Sequence, residues 1–323
     1  MTTQLSGKRV CVTGGAGFLG HALCPKLREA GVSDLFVPRS KEFDLTHAEN
    51  VARMYDHARP DIVIHLAAEV GGIGLNQKHP GRFFYANMIM GLHLIEEARS
   101  RGLEKFVQVG SVCAYPKFCD VPFSENALWS GYPEETNAPY GIAKRALSVM
   151  LDAYRAEYGF NGVYLIPVNL YGPYDNFDAA TSHVIPGLIR QFCGAADAGR
   201  TEVKCWGSGR ASREFLYVDD AAAAIVRAAS VLNDAEPINL GTGKEITIAR
   251  LAETVARLCG FSGKIVWDTT KPDGQPRRCL DASRAVSRLQ WQPTIGLEEG
   301  LRRTIDWWRN SRPAVRGSQC VSV

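Results

Sequence analysis

The sequence predicts an α/β fold in which a doubly wound parallel sheet is joined to a smaller α/β lobe. Apolar strand-like segments alternate with helical segments through the first half of the chain, which is the pattern of parallel strands connected by helices. A glycine-rich turn, Gly14–Gly20, stands between the first strand and the first helix. The 323 residues, of which 46% are hydrophobic, are enough to bury a large core.

Each element is predicted from hydrophobic periodicity and flanking turn residues. The strands of the sheet are expected around residues 8–13, 34–38, 61–66, 105–110 and 162–168, with helices near 18–30, 47–57, 82–101 and 140–158. After about residue 175 the order is less regular, with short strands at 203–206, 237–240 and 265–267 and helices near 184–193, 219–231, 247–259 and 297–309.

Composition and charge exclude several classes of protein. The net charge is only +3 and no basic block is present, so the sequence does not predict nucleic-acid binding. No apolar run is long enough to cross a bilayer and no signal peptide is recognisable, so we expect a cytoplasmic protein. The nine cysteines lack CxxC spacing, which predicts neither a metal site nor a disulfide framework.

The glycines of the first turn follow GxxGxxG spacing, which is typical of a dinucleotide site. Gly14 permits the tight turn, Gly17 lets the backbone approach a pyrophosphate, and Gly20 lets helix and strand pack closely. The helix N-terminus attracts the anion. A glycine-rich turn without a ligand is the alternative, but the strand before it and the helix after it favour a Rossmann-type nucleotide site.

The end of the second strand indicates which dinucleotide binds. An acid there grips the ribose hydroxyls of NAD, whereas an arginine accommodates the 2′-phosphate of NADP. Arg39 follows this strand without an acid, so the sequence favours NADP(H). Asp44 and Leu45 suit the adenine edge, although Asp44 could equally cap the next helix. Ala67 and Ala68, after the third strand, are small enough for the cofactor to lie against the backbone.

We therefore expect residues 1–175 to form an NADP-binding Rossmann domain, to which segments near 215–240 return. Residues 176–310 are expected to form mainly a substrate-binding lobe. Residues 311–323 are largely polar and contain Pro and Gly, which predicts a disordered tail.

Three residues predict chemistry at a carbonyl. Tyr140 and Lys144 are four positions apart in a predicted helix, so their side chains meet one turn apart. An ammonium beside a phenol favours the phenolate by at most about 4 kcal/mol, so we expect Tyr140 to work nearer neutral pH. Ser111, just beyond a strand, would hydrogen-bond the same substrate oxygen. A YxxxK pair alone is common, and the glycine turn strengthens the interpretation.

The helix near 82–101 is apolar on more than one face. One sheet cannot cover such a helix, so we expect it and the helix at 140–158 to pack on a second subunit in a homodimer. Burial under the C-terminal lobe is the alternative.

These motifs resemble the extended short-chain dehydrogenase/reductases and, among them, the GDP-L-fucose synthases. The resemblance spans nearly the whole chain, and its later motifs are more specific than the glycine turn. The stretches that carry it are Ala68–Ile73, Ser111–Lys117, Glu135–Tyr140, Asn169–Phe177, Ser182–Pro186, Trp206–Gly209, Arg213–Phe215 and Lys271–Arg278.

The resemblance implies NADPH-dependent 3,5-epimerisation and 4-reduction of GDP-4-keto-6-deoxy-D-mannose. It implies that Cys113 and His183 exchange protons with the sugar, one on each face. Without the resemblance, Cys113 would be a small apolar residue at a strand end and His183 a surface histidine. The implied catalytic residues are Ser111, Cys113, Tyr140, Lys144 and His183.

The resemblance also implies the binding residues. Those expected to bind NADP(H) are Gly14, Gly15, Ala16, Gly17, Phe18, Leu19, Gly20, Arg39, Asp44, Leu45, Leu66, Ala67, Ala68, Lys144, Pro167, Asn169, Leu170 and His183. Those expected to bind the GDP-sugar are Asn169, Arg190, Trp206, Arg213, Asp273 and Arg278. The two later arginines would neutralise the diphosphate, Trp206 would flank the guanine, and Asp273 would accept from a sugar or base hydroxyl. Solvated surface charge is the alternative for both arginines.

Three positions depart from the pattern of these synthases. Val112 stands where many have a second serine, Ala16 where many have an arginine, and Gln191 where many have the second of two arginines. The first change leaves the catalytic residues intact. The second leaves Arg39 alone to contact a 2′-phosphate, and the third removes a cation near the diphosphate or sugar. The alternatives are therefore an epimerase with bound NAD(P) or a ketoreductase for another GDP-sugar, and a non-catalytic NADP-binding protein.

Overall fold

The computed structural model of the protein describes residues 5–71, 73–271 and 273–311. Two short 3-10 turns, Val112–Ala114 and Glu125–Trp129, interrupt the alternation of helices and strands. The helices and strands are, in chain order, β1 (Arg9–Thr13), α1 (Phe18–Glu29), β2 (Asp34–Phe36), α2 (Ala48–Ala58), β3 (Ile62–His65), α3 (Ile73–Lys78), α4 (Pro80–Ser100), β4 (Lys105–Val109), α5 (Ala138–Tyr158), β5 (Gly162–Pro167), β6 (Asn169–Tyr171), α6 (Val184–Asp197), β7 (Glu202–Trp206), β8 (Ser212–Tyr217), α7 (Val218–Val231), β9 (Ile238–Leu240), β10 (Glu245–Thr247), α8 (Ile248–Leu258), β11 (Lys264–Asp268), α9 (Ser283–Leu289) and α10 (Leu297–Ser311).

The main sheet has the strand order β2-β1-β3-β4-β5-β9, and every neighbouring pair is parallel. The helices form two groups, with α2, α4 and α5 in contact in one and α1, α7 and α9 in the other. This confirms the predicted doubly wound fold. The winding reverses between β1 and β3, so a crevice opens at the carboxyl ends of these strands, where such sheets bind their ligands.

The close packing of α1 on the sheet depends on Gly20. A Cβ atom at this position would overlap the backbone of Gly15. The buried side chains Leu23 and Leu27 continue the same face of the helix into the core. The third glycine of the predicted motif therefore holds the helix against the glycine turn.

A second apolar core lies between α6, α8 and α10, with Phe192, Val255 and Leu301 fully buried. Beside it lie a three-stranded sheet, β10-β8-β6, and a parallel pair, β11-β7. The chain returns to the main sheet through α7, which packs on α1, and through β9, which pairs with β5. These two cores support the proposed division into a nucleotide domain and a second lobe.

The sequence missed β6, β10, α3 and α9, because each is short and has no clear periodicity of its own. It also named the stretch around Arg213 only as a motif, although β8 runs through it. The predicted tail lies outside the described residues except for Ser311, which ends α10. No helix that the structure describes is both long enough and apolar enough to span a membrane.

Candidate active site

A cleft of about 1400 Å³ opens at the carboxyl ends of the main-sheet strands and is lined by both lobes. Every residue predicted to act in catalysis or binding lines it, except Gly15 and Gly20. These two glycines lie behind the wall, where their missing side chains allow the turn and the helix to meet. One cleft therefore contains side chains from residues near both ends of the described chain.

The glycine turn forms one end of the cleft. Gly14 has φ +72°, and a Cβ atom there would overlap the backbone of Ala67. Helix α1 begins at Phe18, and its N-cap residue, Gly17, makes no side-chain capping bond. The uncapped N–H groups of the first turn are thus available to a phosphate, and the bare backbone of the turn leaves room for it.

Arg39 and Asp44 line the same end of the cleft. Among the described residues, Arg39 has no ion-pair partner. The Asp44 carboxylate accepts from the Thr46 hydroxyl (2.7 Å) and the Thr46 N–H (3.0 Å), and these bonds lower its pKa. Helix α2 has His47 as its N-cap residue, so Asp44 closes a turn before the helix and does not cap the helix itself.

Ser111 and Cys113 lie on one 3-10 turn that follows β4. The Ser111 hydroxyl accepts a hydrogen bond from the Cys113 N–H at 3.2 Å, which fixes the turn. Helix α5 crosses close to it at Gly141, where a Cβ atom would overlap the Cys113 carbonyl. The glycine next to Tyr140 is therefore what lets α5 approach the turn that carries Cys113.

The titration of Tyr140 and Lys144 differs from the sequence expectation. Burial raises the pKa of Tyr140 above its usual value, the neighbouring Cys113 adds to the rise, and a hydrogen bond with Ser111 opposes it. Burial also lowers the pKa of Lys144 to about 8, while its ammonium donates to the Val109 carbonyl at 3.4 Å. The expectation that Lys144 brings Tyr140 near neutrality was wrong for this site because desolvation dominates. Tyr140 thus holds its proton at neutral pH.

Cys113 has a cationic neighbour from the far end of the chain. The Arg278 guanidinium donates to Cys113 Sγ at 3.6 Å, across a sequence separation of 165 residues. Gln275 holds the same guanidinium by accepting from Nε at 3.1 Å, and Gln275 is in turn bound to the Lys117 carbonyl at 2.8 Å. Arg278 is only 7% exposed. Arg278 therefore places a buried positive charge in contact with the sulfur.

His183 stands at the N-cap position of α6, with its side chain half-exposed in the cleft. Its ring makes no capping hydrogen bond. Nδ1 lies 3.9 Å from Oδ1 of Asp175, a carboxylate that the sequence had placed only within a resemblance motif. The histidine thus has one ring edge near a carboxylate while its side chain contributes to the cleft.

The far end of the cleft is rich in arginine. Arg213 donates to the carbonyls of Ser212 (2.7 Å) and Asp273 (3.2 Å), and burial together with the charge of Arg278 lowers its pKa to about 10. Arg190 also lines the cleft, and its Nε is buried without a hydrogen-bond partner. Arg190, Arg213 and Arg278 have no ion-pair partner among the residues that the structure describes. The arrangement suits a ligand with a strongly anionic group.

For three predicted binding residues, the structure shows contacts other than the ones expected with the ligand. The Asp273 carboxylate accepts from the N–H (2.7 Å) and hydroxyl (2.6 Å) of Ser208, so it holds a turn of the cleft wall. The Asn169 amide donates to the Glu214 carbonyl at 2.8 Å, which is the backbone role that the sequence left open. Trp206 is 71% exposed, and Lys271 Nζ lies 5.4 Å from its ring centre.

Sequence reasoning missed Glu134, a carboxylate in the cleft wall that is only 8% exposed. It accepts from the Thr136 hydroxyl and from the Asn137 amide at 3.1 Å. It also missed the bridging role of Gln275. The available signal for Glu134 was its position directly before the stretch Glu135–Tyr140, where polar residues lead into α5.

The chain is similar to known proteins over most of its length. The model of the "NAD dependent epimerase/dehydratase family" matches residues 10–241. GDP-L-fucose synthase 1 of Arabidopsis thaliana is 41% identical over 300 residues, covering 93% of each chain. GDP-L-fucose synthase of Escherichia coli K12 is 38% identical over 322 residues, covering 97% of this chain and 100% of that protein.

Solved structures are similar over nearly the whole chain. A GDP-6-OMe-4-keto-L-xylo-heptose reductase from C. jejuni has a TM-score of 0.90 at 27% identity, covering 97% of this chain and 100% of that one. A GDP-L-fucose synthetase from Naegleria fowleri bound to NADP has a TM-score of 0.85 at 28% identity, covering 95% and 96%. By its sequence, its sheet and the contents of its cleft, the chain belongs to the NAD-dependent epimerase/dehydratase family, the extended short-chain dehydrogenase/reductases.

Proposed function

We propose that the protein is an NADPH-dependent GDP-L-fucose synthase, which epimerises C3 and C5 of GDP-4-keto-6-deoxy-D-mannose and reduces its C4 carbonyl. One observation carries the proposal. Beside the set Ser111, Tyr140 and Lys144, which suffices for a carbonyl reductase, the cleft contains a cysteine and a histidine, each with a charged neighbour. A reductase alone has no need of them, whereas epimerisation needs a base and an acid.

The residues present fit a dinucleotide phosphate. The side-chain-free turn at Gly14 and the uncapped start of α1 would hold the pyrophosphate, Arg39 the 2′-phosphate, and Lys144 the nicotinamide ribose. The NADP-bound relative from Naegleria fowleri supports the choice of NADP. When bound, NADPH supplies the hydride for reduction at C4.

The C4 oxygen of the sugar is the common centre of the three steps. The protons on C3 and C5 are α to the ketone, so removing either one produces an enolate whose charge lies on this oxygen. Ser111 and Tyr140 would donate hydrogen bonds to it. Because burial raises the pKa of Tyr140, the phenol keeps its proton until charge develops on the oxygen, and it would then protonate that oxygen during reduction.

The charged neighbours of Cys113 and His183 indicate which residue removes a proton from the sugar and which one returns it. The Arg278 guanidinium donates to Cys113 Sγ, so a positive charge lies beside the atom that would accept a proton from carbon. His183 has one ring nitrogen near the Asp175 carboxylate, which leaves the other ring nitrogen available to give a proton to the sugar. We therefore infer that Cys113 acts as the base and His183 as the acid on the opposite face of the sugar.

Arg190, Arg213 and Arg278 have no ion-pair partner within the described part of the chain, which supports a nucleoside diphosphate as the substrate class. A guanidinium matches two phosphate oxygens at once and keeps its charge when buried. Arg213 and Arg190 would bind the diphosphate, and Arg278 lies between the diphosphate and Cys113 in this assignment.

A second candidate is a C4 reductase or epimerase for another GDP-4-keto sugar. Gln191, which lines the cleft where many fucose synthases have an arginine, is the observation that favours it. The structural similarity to a GDP-heptose reductase from C. jejuni is consistent with it.

We also propose a homodimer that forms through α4 and α5. Both helices expose large apolar side chains, namely Phe84, Tyr85, Val149 and Tyr158. We propose the cytoplasm as the location, since buried thiols such as Cys11 and Cys205 persist in a reducing compartment.

The pH profile of kcat/KM for NADPH should fall on its alkaline side because the Lys144 ammonium loses its proton there. Its pKa of about 8 in the free protein means that the charge is present below that pH and is lost as pH rises through it. We expect kcat/KM for NADPH, which reports groups of the free enzyme, to fall above pH 8. Lys144→Met should give a lower, flat profile over this range, and an unchanged alkaline limb in that variant would contradict the assignment.

Arg39 should decide between the two nicotinamide cofactors. Arg39→Ala should raise KM for NADPH about 10- to 100-fold, because the variant loses a charge-assisted hydrogen bond to the 2′-phosphate. NADH has no 2′-phosphate, so its KM should be nearly unchanged. Lys41→Ala is the matched control, because Lys41 is a neighbouring exposed cation outside the cleft lining. Equal effects of Arg39→Ala on both cofactors would remove Arg39 from the 2′-phosphate site.

A substrate panel tests the proposed function. The purified protein is mixed with NADPH and, in turn, GDP-4-keto-6-deoxy-D-mannose, its UDP analogue and a GDP-4-keto-heptose, and the absorbance of NADPH is followed. We expect oxidation with the first substrate and none with the UDP sugar. Oxidation only with the heptose would favour the second candidate.

A further inference from the structure

Asp175 is a buried carboxylate that the proposed mechanism does not yet use. Its side chain is only 3% exposed, yet it lies beside the half-exposed side chain of His183. Oδ1 accepts from the Asn176 N–H at 2.7 Å, while Oδ2 has no hydrogen-bond partner among the described residues. A carboxylate oxygen buried without a partner is costly, so its position calls for a group that is paired with it in the working state.

Hydrogen bonds within the loop between Asp175 and His183 bring the two ends of the loop together. Asn176 accepts from the Asp178 N–H at 3.0 Å and donates to the Thr181 hydroxyl at 2.8 Å. Asp178 accepts from the N–H of Ala180 at 3.0 Å and from Thr181. These bonds close the loop on itself, so that the histidine at its end comes back beside the aspartate at its start.

Contacts on both sides hold Asp175 in place. The ring of Tyr174, at φ +67°, stacks on His21 with ring centres 4.0 Å apart. The ring of Phe177 stacks on Trp308 of α10 with ring centres 4.3 Å apart. The carboxylate therefore sits on a segment anchored to α1 on one side and to α10 on the other, and it does not depend on His183 for its position.

We propose that Asp175 is a positioning residue for His183: it accepts a hydrogen bond from Nδ1–H and so directs Nε2 toward the sugar. The present separation of 3.9 Å between Nδ1 and Oδ1 is an ion-pair distance, and the hydrogen bond would form when the half-exposed ring moves closer to Oδ1 or to the unpartnered Oδ2. Catalytic hydrogen bonds are commonly long before the substrate binds. This hydrogen bond would fix the tautomer of the ring.

This inference rests on the proposed function for its catalytic consequence, but the side-chain pairing can be measured without substrate. In protein labelled with 15N histidine, the ring resonances of His183 are identified by their loss in His183→Asn. We expect neutral His183 to carry its proton on Nδ1, and Asp175→Asn to shift the ring toward the Nε2–H tautomer. A wild-type ring protonated on Nε2 would overturn the proposal, and so would a tautomer that Asp175→Asn leaves unchanged.

Kinetics supplies the second readout. Asp175→Asn keeps the oxygen that accepts from Asn176 and should lower deuterium exchange into the keto sugar about 10- to 100-fold, the scale expected for a misplaced catalytic group. In a His183→Asn background the same change should cost nothing further, because the pair acts as a unit. Asp34→Asn, the same change at an exposed carboxylate of β2 outside the cleft lining, is the matched control and should exchange at nearly the wild-type rate.

The outcomes separate the two proposals. Full additivity of Asp175→Asn and His183→Asn would give Asp175 a structural role only and overturn the inference. If wild-type protein catalyses no exchange at all, the proposed function fails, while the wild-type tautomer still decides whether Asp175 holds His183. That spectrum also settles the matter if Asp175→Asn does not fold.

Discussion

Tyr140→Phe should lower NADPH oxidation with GDP-4-keto-6-deoxy-D-mannose by about 10²- to 10⁴-fold. The change removes the proton that the C4 oxygen would receive when hydride arrives. The side chain is 7% exposed, and phenylalanine fills the same space, so the fold should be retained. The measurement is the initial rate of NADPH oxidation at saturating substrate.

Two controls distinguish loss of the proton donor from loss of cofactor binding and from an unspecific effect of removing a tyrosine hydroxyl. NADPH affinity, read by fluorescence, should be nearly unchanged, since the hydroxyl is not needed for the cofactor in this account. Tyr132→Phe, at a tyrosine that is 63% exposed, should retain full activity. A loss of less than about 10-fold in Tyr140→Phe would show that another group donates the proton.

Cys113→Ser should suppress deuterium exchange at C3 and C5 by about 10²- to 10³-fold, the scale of losing a general base. Serine nearly preserves the size of the side chain but cannot form an anion beside Arg278 at neutral pH. Hydride transfer to the unepimerised ketone should persist at a reduced rate, because Ser111 and Tyr140 remain. Exchange is read by NMR of the keto sugar in deuterated water without NADPH.

Cys119→Ser is the matched control for the thiol. Cys119 is partly buried on the loop that follows the same 3-10 turn, but it does not line the cleft. Its replacement should leave exchange intact. Exchange in Cys113→Ser at the wild-type rate would assign the base to another residue, and loss of NADPH binding in this variant would mean that the turn carrying Ser111 had moved.

The fold was predictable where a long periodic segment had clear boundaries. Helix α4, expected near 82–101, runs from Pro80 to Ser100, because its apolar periodicity continues to its ends. Strand β6 was missed since its three residues, Asn169–Tyr171, follow β5 after a single residue and have no period of their own. It is defined by pairing with β8, which is a contact between distant parts of the chain.

The candidate site was predictable as a set of residues but not as a set of pairs. The motifs correctly grouped the residues that line one cleft. The contact between Arg278 and Cys113 depends on how the second lobe closes over the first, which no local pattern encodes. The direction of the Tyr140 pKa was missed for a similar reason, because burial of the phenol is a property of the folded cleft and outweighs a local charge.

One measurement tests the central claim most directly. The wild-type protein is incubated with NADPH and GDP-4-keto-6-deoxy-D-mannose in deuterated water, and the product is examined by NMR. The account predicts GDP-L-fucose with deuterium at both C3 and C5 and one NADPH oxidised for each product formed. A reduced product that keeps its protons and the manno configuration at these carbons would contradict it, and the protein would then be a reductase without epimerase activity.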